Sequence, residues 1–156
     1  MDVQPNDHVL EIGFGHGRTV ERAAAAVPEG FVAGVDLSDD MVRMATKRLA
    51  PLIEARRVEL RRADSAQLPY DAGRFDRAYA LHTLYFWSDP VRHLREIHRV
   101  LRPRGRFVLG FTPGDDPIAR ASFPDTVYTF YETDQVRGLL GEAGFGDVTI
   151  IRRDVG

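Results

Sequence analysis

Apolar residues follow two patterns along the chain: short continuous runs, and longer stretches in which they recur every three or four positions. The runs are typical of buried strands, and the longer spacing is typical of amphipathic helices. Strands are predicted at 8–13, 31–37, 58–62, 75–81, 106–111 and 148–152. Helices are predicted at 18–27, from a cap at Ser38 to a stop at Pro51, from Asp89-Pro90 to before Pro103, and from a cap at Thr133 to Gly144.

This regular alternation predicts an α/β fold, a Rossmann-like doubly wound sheet that is mostly parallel and has helices on both faces. No repeat or linker divides the chain, so one domain is expected over 1–156. Ligands of such sheets bind at the carboxyl ends of the strands, where the strand order reverses. The loops that follow the strands are therefore the places to look for function.

Composition narrows the functional classes. The 156 residues carry a net charge of -2 and include no cysteine, which excludes disulfides and thiol chemistry. The charges are interspersed, so neither nucleic acid nor an anionic membrane is an expected partner. No segment has the apolar length of a membrane span or the pattern of a signal peptide, and a cytoplasmic protein is expected. No pattern of His, Asp and Glu suggests a metal site.

The loop after the first strand contains three alternating glycines, Gly13, Gly15 and Gly17, with Glu11 two residues ahead. A dinucleotide-binding loop has the spacing G-x-G-x-x-G, whereas the third glycine here comes one residue early. A carboxylate at Glu11 would repel a pyrophosphate and attract an ammonium group. The glycines therefore suggest close backbone approach to a ligand without phosphate, although a tight turn alone is the alternative.

Asp36 ends the second strand, about 20 residues beyond the loop, at the spacing typical of an acid that binds ribose hydroxyls. Its two oxygens can accept from both hydroxyls of a ribose. A ligand with a ribose, an ammonium group and no phosphate is S-adenosylmethionine. The alternative for Asp36 is a cap of the next helix.

Several segments together resemble the class I S-adenosylmethionine-dependent methyltransferases, in particular the small-molecule group of the ubiquinone and menaquinone type. These segments are 11–17 (EIGFGHG), 34–38 (GVDLS) with Met41, 63–70 (ADSAQLPY), 75–76 (FD), 99–105 (RVLRPRG) and 142–145 (EAGF). The resemblance implies a cofactor site made of Glu11, Gly13, Phe14, Gly15, Gly17, Asp36, Leu37, Met41, Asp64, Ser65 and His82. It implies that Leu37 and Met41 contact the adenine and that Asp64 accepts from its amino group, unless Asp64 only forms a turn.

The chain departs from the family pattern in two places. Arg104 replaces the first glycine of the usual Pro-Gly-Gly before the fifth strand. The family's last antiparallel strand has no counterpart before Gly156, which leaves two alternatives: a minimal or truncated chain, or a sheet completed by a second copy. The expected state is a monomer or a homodimer.

The acceptor is expected beyond the methyl group, near the ends of the fourth and fifth strands. His82 could deprotonate an acceptor hydroxyl there, line the site without proton transfer, or serve the structure alone. Tyr85 and Trp87 follow it, and they either line the acceptor or pack the next helix onto the sheet. Phe123 and Tyr128 belong to the long irregular segment 113–131, for which a role as a lid over the acceptor is expected.

The sequence thus predicts transfer of a methyl group from S-adenosylmethionine to a small-molecule acceptor, with oxygen slightly favoured over carbon or nitrogen and S-adenosylhomocysteine as the product. One alternative is a non-catalytic module that binds the cofactor or serves only for association. The other is an NAD-dependent oxidoreductase.

Overall fold

The computed structural model describes residues 2–124 and 126–153, which form one five-stranded parallel sheet with helices on both faces. The strands are β1 His8–Ile12, β2 Phe31–Asp36, β3 Val58–Arg62, β4 Phe75–Leu81 and β5 Leu101–Gly110. The helices are α1 Arg18–Ala26, α2 Asp39–Arg48, α3 Ala50–Glu54, α4 Pro90–Val100, α5 Pro117–Ser122 and α6 Thr133–Ala143, with a short 3-10 turn at Leu84–Phe86. The predicted fold class is confirmed.

The strand order β3-β2-β1-β4-β5 reverses direction between β1 and β4. The chain winds outward from β1 to β3, then crosses to β4 on the other side of β1 and continues to β5. In a sheet of this order the loops after β1 and β4 diverge and open a crevice at the carboxyl edge. The loops that were predicted to be functional therefore border the same crevice.

The sheet is buried between two apolar layers, one on each face. On one face, Val20 and Ala24 of α1 and Ala45 of α2 pack against β1 and β2. On the other, Leu94 and Ile97 of α4 join Val136 of α6 in a second cluster against β1 and β4. These layers fix the strand ends from which the crevice is built.

Local capping accounts for where α2, α4 and α6 begin. The Ser38 hydroxyl accepts from the Met41 N–H at 3.3 Å, and the Asp89 carboxylate accepts from the Arg92 N–H at 3.2 Å. The predicted cap at Thr133 is wrong by one residue, because Glu132 holds that position in a reciprocal capping box with Gln135. The helix capped by Ser38 ends at Arg48, three residues before the predicted stop at Pro51, and Pro51 itself lies in the first turn of α3.

The predicted strand at 148–152 is wrong: residues 145–153 have no regular secondary structure. The Val148 carbonyl, which a sheet ladder would need, accepts instead from the Arg137 guanidinium of α6 at 2.9 Å. Phe145 stacks on Phe107 of β5, with ring centroids 5.5 Å apart. Side chains hold this segment to the domain, and the outer edge of β5 has no strand partner among the residues described.

No helix in the described part of the chain is long and apolar enough to cross a membrane.

Glu11 is a carboxylate enclosed in the apolar layer beneath α1, where it is 2% exposed. One of its oxygens accepts from the Tyr79 hydroxyl at 2.6 Å and the other from the Thr19 hydroxyl. Burial is the main cause that raises the pKa of Glu11 to about 7. The nearby charge of Asp36 also raises this pKa, whereas the two hydrogen bonds oppose the rise. Its ionisation is therefore coupled to folding.

We expect the free energy of unfolding to fall by up to about 3 kcal/mol as the pH rises from 5 to 8. The folded chain holds the Glu11 proton more tightly than the unfolded chain does, so this stabilisation is complete at low pH and is lost as the pH passes about 7. Urea unfolding at both pH values measures it. Glu11→Gln should remove this part of the pH dependence, whereas Glu21→Gln, an exposed carboxylate of α1, should retain it. An identical slope in parent and Glu11→Gln would contradict the assignment.

The start of β5 contains extra residues that its neighbour lacks. Phe75 and Arg77 of β4 pair with Leu101 and Arg106, so three more residues separate the partners on β5 than on β4. Arg104 lies within this bulge with φ +65°, a left-handed conformation that costs a residue with a Cβ about 1 kcal/mol or more. The glycine of the family pattern is the residue that would relieve this strain.

Arg104→Gly is expected to raise the free energy of unfolding by about 0.5–1 kcal/mol, since relief of the strain exceeds the entropy that glycine adds to the unfolded chain. Arg106→Gly is the matched comparison, because Arg106 is equally exposed and its φ is not positive. That variant should instead lose about 0.5–1 kcal/mol. Chemical denaturation gives both values, and destabilisation by Arg104→Gly would refute the argument.

Candidate functional site

The three glycines of the loop after β1 serve different purposes. A Cβ on Gly13 would lie 2.3 Å from the methyl carbon of Thr83, so this glycine permits close contact with the loop after β4. A Cβ on Gly17 would lie 3.0 Å from Ala45 and Leu49 of the adjacent core. Gly15 has φ +52°, and a Cβ there would meet nothing within 4 Å. Of the three, Gly15 faces open space on the crevice side.

Asp36 links this loop to the start of α2. Its Oδ2 accepts from the Gly15 N–H at 2.9 Å, and its Oδ1 accepts from the Ser38 N–H at 2.9 Å. Each carboxylate oxygen has about two acceptor positions, so each retains one after these bonds. Asp36 is therefore a structural link and also an available acceptor at the mouth of the crevice.

Leu37 and Met41 continue the site along α2. The Leu37 side chain is 63% exposed and directly follows Asp36 in the chain. Met41 is half-buried in the first turn of α2. Contact of these two side chains with an adenine stays a prediction.

The loop after β3 is held from below by a histidine. The Ser65 hydroxyl lies 2.7 Å from Nδ1 of His93, which is buried and stacks on Trp87 at 4.8 Å between centroids. Burial lowers the pKa of His93. Asp64 forms the turn that the sequence left as an alternative, since its Oδ1 accepts from the Ala66 N–H at 2.8 Å. The Asp64 side chain remains 56% exposed, so its carboxylate is still accessible to a ligand.

Besides Ser65, which is 6% exposed, three predicted site residues have side chains that the structure does not bring to the crevice surface. Glu11 is enclosed by Thr19 and Tyr79. Phe14 is 3% exposed and packs against Gly34, so only its backbone belongs to the loop. Trp87 is 7% exposed and belongs to the core beneath α4. Of the two alternatives for Trp87, the structure has the packing role.

A cavity of about 370 Å³ lies at the ends of β4 and β5, beneath segment 113–131, which contains the short helix α5. Its lining consists of His82, Tyr85, Phe86, Thr112, Phe123, Tyr128 and Phe130. Four of these were predicted as site residues. The other three, Phe86, Thr112 and Phe130, lie in the segments that the sequence singled out, but no signal distinguished them from neighbours such as Trp87 and Tyr131.

Tyr85 organises this cavity through both its side chain and its backbone. Its hydroxyl oxygen accepts from the Thr112 N–H at 2.5 Å and lies 3.3 Å from Nδ1 of His82. Its carbonyl accepts from the Thr129 N–H at 3.1 Å. Its ring contacts those of Phe86, Tyr128 and Phe130. One residue thus joins the end of β5, the segment above the cavity and the histidine at its floor.

His82 itself has φ +56°, and its N–H donates to the Gly110 carbonyl at 2.8 Å. A left-handed residue that bears a Cβ is a local strain, and such strain is concentrated at functional sites. This conformation ends β4 and leaves the imidazole exposed at the cavity. Among the described residues, no group of three His, Asp or Glu side chains could hold a metal ion.

Comparison with known proteins agrees with this geometry. A family described as a methyltransferase domain matches residues 10–109. An O-methyltransferase of Penicillium expansum is 30% identical over 156 residues, covering 96% of this chain and 56% of the relative. The chain spans about half the length of the curated relatives it matches.

Two solved structures are similar. A SAM-dependent methyltransferase from Thermotoga maritima has a TM-score of 0.73 at 26% identity, covering 93% of this chain and 67% of that one. The 4+2 cyclase SpnF has a TM-score of 0.74 at 27% identity, covering 89% of this chain and 52% of that one. Because the family match covers most of the chain, from β1 to the end of β5, the chain belongs to the class I S-adenosylmethionine-dependent methyltransferase family.

Proposed function

We propose that this domain binds S-adenosylmethionine and transfers its methyl group to a small-molecule acceptor, with oxygen favoured as the accepting atom. The observation that carries the proposal is the Asp36 carboxylate, which has an acceptor position left on each oxygen beside the open face of Gly15. A ribose presents two adjacent hydroxyl donors, which is the complement of this arrangement. The oxygen preference is supported by the O-methyltransferase relative.

The residues present fit the cofactor at three further points. Leu37 supplies an exposed apolar surface for a flat base. Asp64 offers an exposed carboxylate after β3. The Thr83 hydroxyl oxygen is buried beside the glycine loop without a partner among the described residues, and a polar end of the ligand would satisfy it. When bound, S-adenosylmethionine supplies a methyl group activated by its sulfonium.

The chain's own contribution is then to position the acceptor and exclude water. In our proposal segment 113–131 covers the acceptor as a lid, with Phe123, Tyr128 and Phe130 on its inner side. The Tyr85 oxygen accepts from the Thr112 N–H and has a second acceptor position, 3.3 Å from Nδ1 of His82. In our proposal the N–H of His82 is at Nδ1 and donates to this oxygen, so that Nε2 would take the proton that an acceptor hydroxyl loses when it is methylated.

The similarity to a cyclase requires that cofactor binding and methyl transfer be tested separately. A domain that binds S-adenosylmethionine without turnover would be the non-catalytic module weighed from the sequence. The spacing of the glycines opposes the NAD-dependent alternative, and titration with NAD tests it directly.

Calorimetric titration should detect S-adenosylhomocysteine binding, and Asp36→Ala should weaken it by at least about tenfold, since hydrogen bonds to a charged group are lost. Leu37→Asp should weaken it by about tenfold through loss of apolar contact. Asp39→Ala is the control, because this carboxylate is 76% exposed in α2 and should leave the affinity unchanged.

Asp36 also holds the glycine loop, so its variant can lose affinity through the fold alone. Leu37→Asp separates the two effects, because the exposed Leu37 side chain contributes little to stability, and thermal unfolding checks this. A folded parent with no affinity for S-adenosylhomocysteine would overturn the proposed function. Unchanged affinity in Leu37→Asp would overturn the assigned position of the base.

Tyr85→Phe tests the hydrogen-bond chain to His82. It keeps the ring contacts and removes the hydroxyl, so cofactor affinity should persist while S-adenosylhomocysteine production from an accepted substrate falls about three- to tenfold. If Tyr85 acts through His82, the double variant Tyr85→Phe/His82→Gln should lose no more activity than His82→Gln alone. Additive losses would show that the two residues act independently.

A further inference from the structure

We infer that the acceptor is an uncharged, flat aromatic compound with a single oxygen-bearing polar end, bound against the five aromatic rings of the cavity at the ends of β4 and β5. This inference rests on the proposed function for the identity of the ligand as a methyl acceptor. The chemistry of the cavity supports it independently of any turnover. The cavity, of about 370 Å³, is at the lower end of the range for small-molecule sites and accommodates a ligand of one or two fused rings.

Two of the rings are exposed where a folded chain would normally bury them. Phe86 is 55% exposed and Phe123 is 44% exposed, whereas Tyr85 behind them is 6% exposed. Exposed apolar groups that line a concave surface mark a ligand site. Burial of these two rings by a flat apolar ligand is the gain in free energy that such a site offers.

The rings are held in place before any ligand arrives. Tyr128 is at their centre, with centroid distances of 4.8 Å to Phe123 and 5.0 Å to Phe86. It also lies 6.0 Å from Tyr85. Because each ring is already fixed by its neighbours, binding a ligand against them costs little side-chain entropy. Tilted rings of this kind provide faces and edges for offset or edge-on contacts with another aromatic ring.

The charge of the lining excludes ionic acceptors. None of the described residues around the cavity is Asp, Glu, Lys or Arg. The guanidinium of Arg120, on the same segment, donates to the Gly114 carbonyl and is not among the lining groups. A carboxylate or phosphate acceptor would therefore lack the arginine or lysine that normally holds it and would face only the imidazole of His82. A cationic acceptor would lack a carboxylate and would have to bind beside a cofactor that is itself positively charged.

The polar groups of the cavity are few, and most lie at one end. The Tyr85 hydroxyl is engaged by Thr112 and His82, which leaves Nε2 of His82 and the hydroxyls of Thr112 and Tyr128 among the lining residues. The first two groups lie at the ends of β4 and β5, while Phe123 and Tyr128 belong to the segment above. A ligand with an apolar body and one oxygen-bearing end matches this distribution.

Three probes that share the naphthalene ring and differ in the charge of the substituent test the inference: 2-naphthol, 2-naphthoate and 2-naphthyltrimethylammonium. Each is titrated by calorimetry into the chain saturated with S-adenosylhomocysteine, and into the free chain. We expect 2-naphthol to bind at least about tenfold more tightly than either ion. Equal or tighter binding of an ion would overturn the inference, as would the absence of 2-naphthol binding.

Variants locate the binding. Phe86→Ala and Phe123→Ala should each weaken 2-naphthol binding about three- to tenfold, and neither is buried enough to threaten the fold. Ile118→Ala is the matched control, because Ile118 is 77% exposed on the same segment and does not line the cavity, and it should leave the affinity unchanged. Equal effects of all three variants, or none, would also overturn the inference.

The two proposals fail in different ways. Binding of 2-naphthol to the free chain, sensitive to Phe86→Ala, together with no binding of S-adenosylhomocysteine, would overturn the proposed function and leave the aromatic site standing. Binding of S-adenosylhomocysteine with no preference among the three probes would overturn the aromatic site and leave the proposed function standing.

Discussion

The carboxylate of Asp36 is the interaction on which the candidate site depends. It joins the N–H of Gly15, in the loop after β1, to the N–H of Ser38, at the start of α2. Without it, the Gly15 N–H would lose its acceptor, and the loop would be held to β2 by the Gly13 N–H, which donates to the Val35 carbonyl at 2.8 Å, and by the buried ring of Phe14. The same group that fixes the loop also presents acceptor positions to the crevice, so structure and recognition share one side chain.

Tyr85 has a comparable position on the other side of the crevice. It contacts Thr112 directly after β5, Thr129 of segment 113–131 and His82 at the end of β4. Three parts of the cavity wall are therefore joined by one buried residue of a 3-10 turn rather than by regular secondary structure.

The sequence predicted those features that depend on short-range rules. All five strands, apart from the first five residues of β5, and the caps at Ser38 and Asp89 follow from apolar periodicity and capping chemistry, and the place of Asp36 at the end of β2 followed as well. The predictions that failed are those that depend on tertiary contacts. The run at 148–152 has the composition of a strand, but Arg137 takes its carbonyl and no ladder forms. Glu11 and Trp87 are polar or aromatic residues at site-like positions, and only their surroundings reveal that they are enclosed.

The sequence also could not show which of several neighbouring aromatic residues line the cavity, because this too depends on tertiary contacts. Phe86 and Trp87 are adjacent and chemically alike, yet the first is exposed in the cavity and the second stacks on His93 in the core. Their directions are set by the 3-10 turn and by the packing of α4. No periodicity in the sequence contains that information.

In the described part of the chain the outer edge of β5 has no strand partner, and this bears on how the domain behaves at high concentration. An open strand edge can template pairing with another chain, but the first half of β5 carries Arg102, Pro103, Arg104 and Arg106. These residues leave only 107–110 free of charge and proline, a length that pairs weakly. Repulsion between the arginines of two copies would be screened by salt. Self-association through this edge should therefore increase with ionic strength, and it should depend on the salt concentration as well as on the fold.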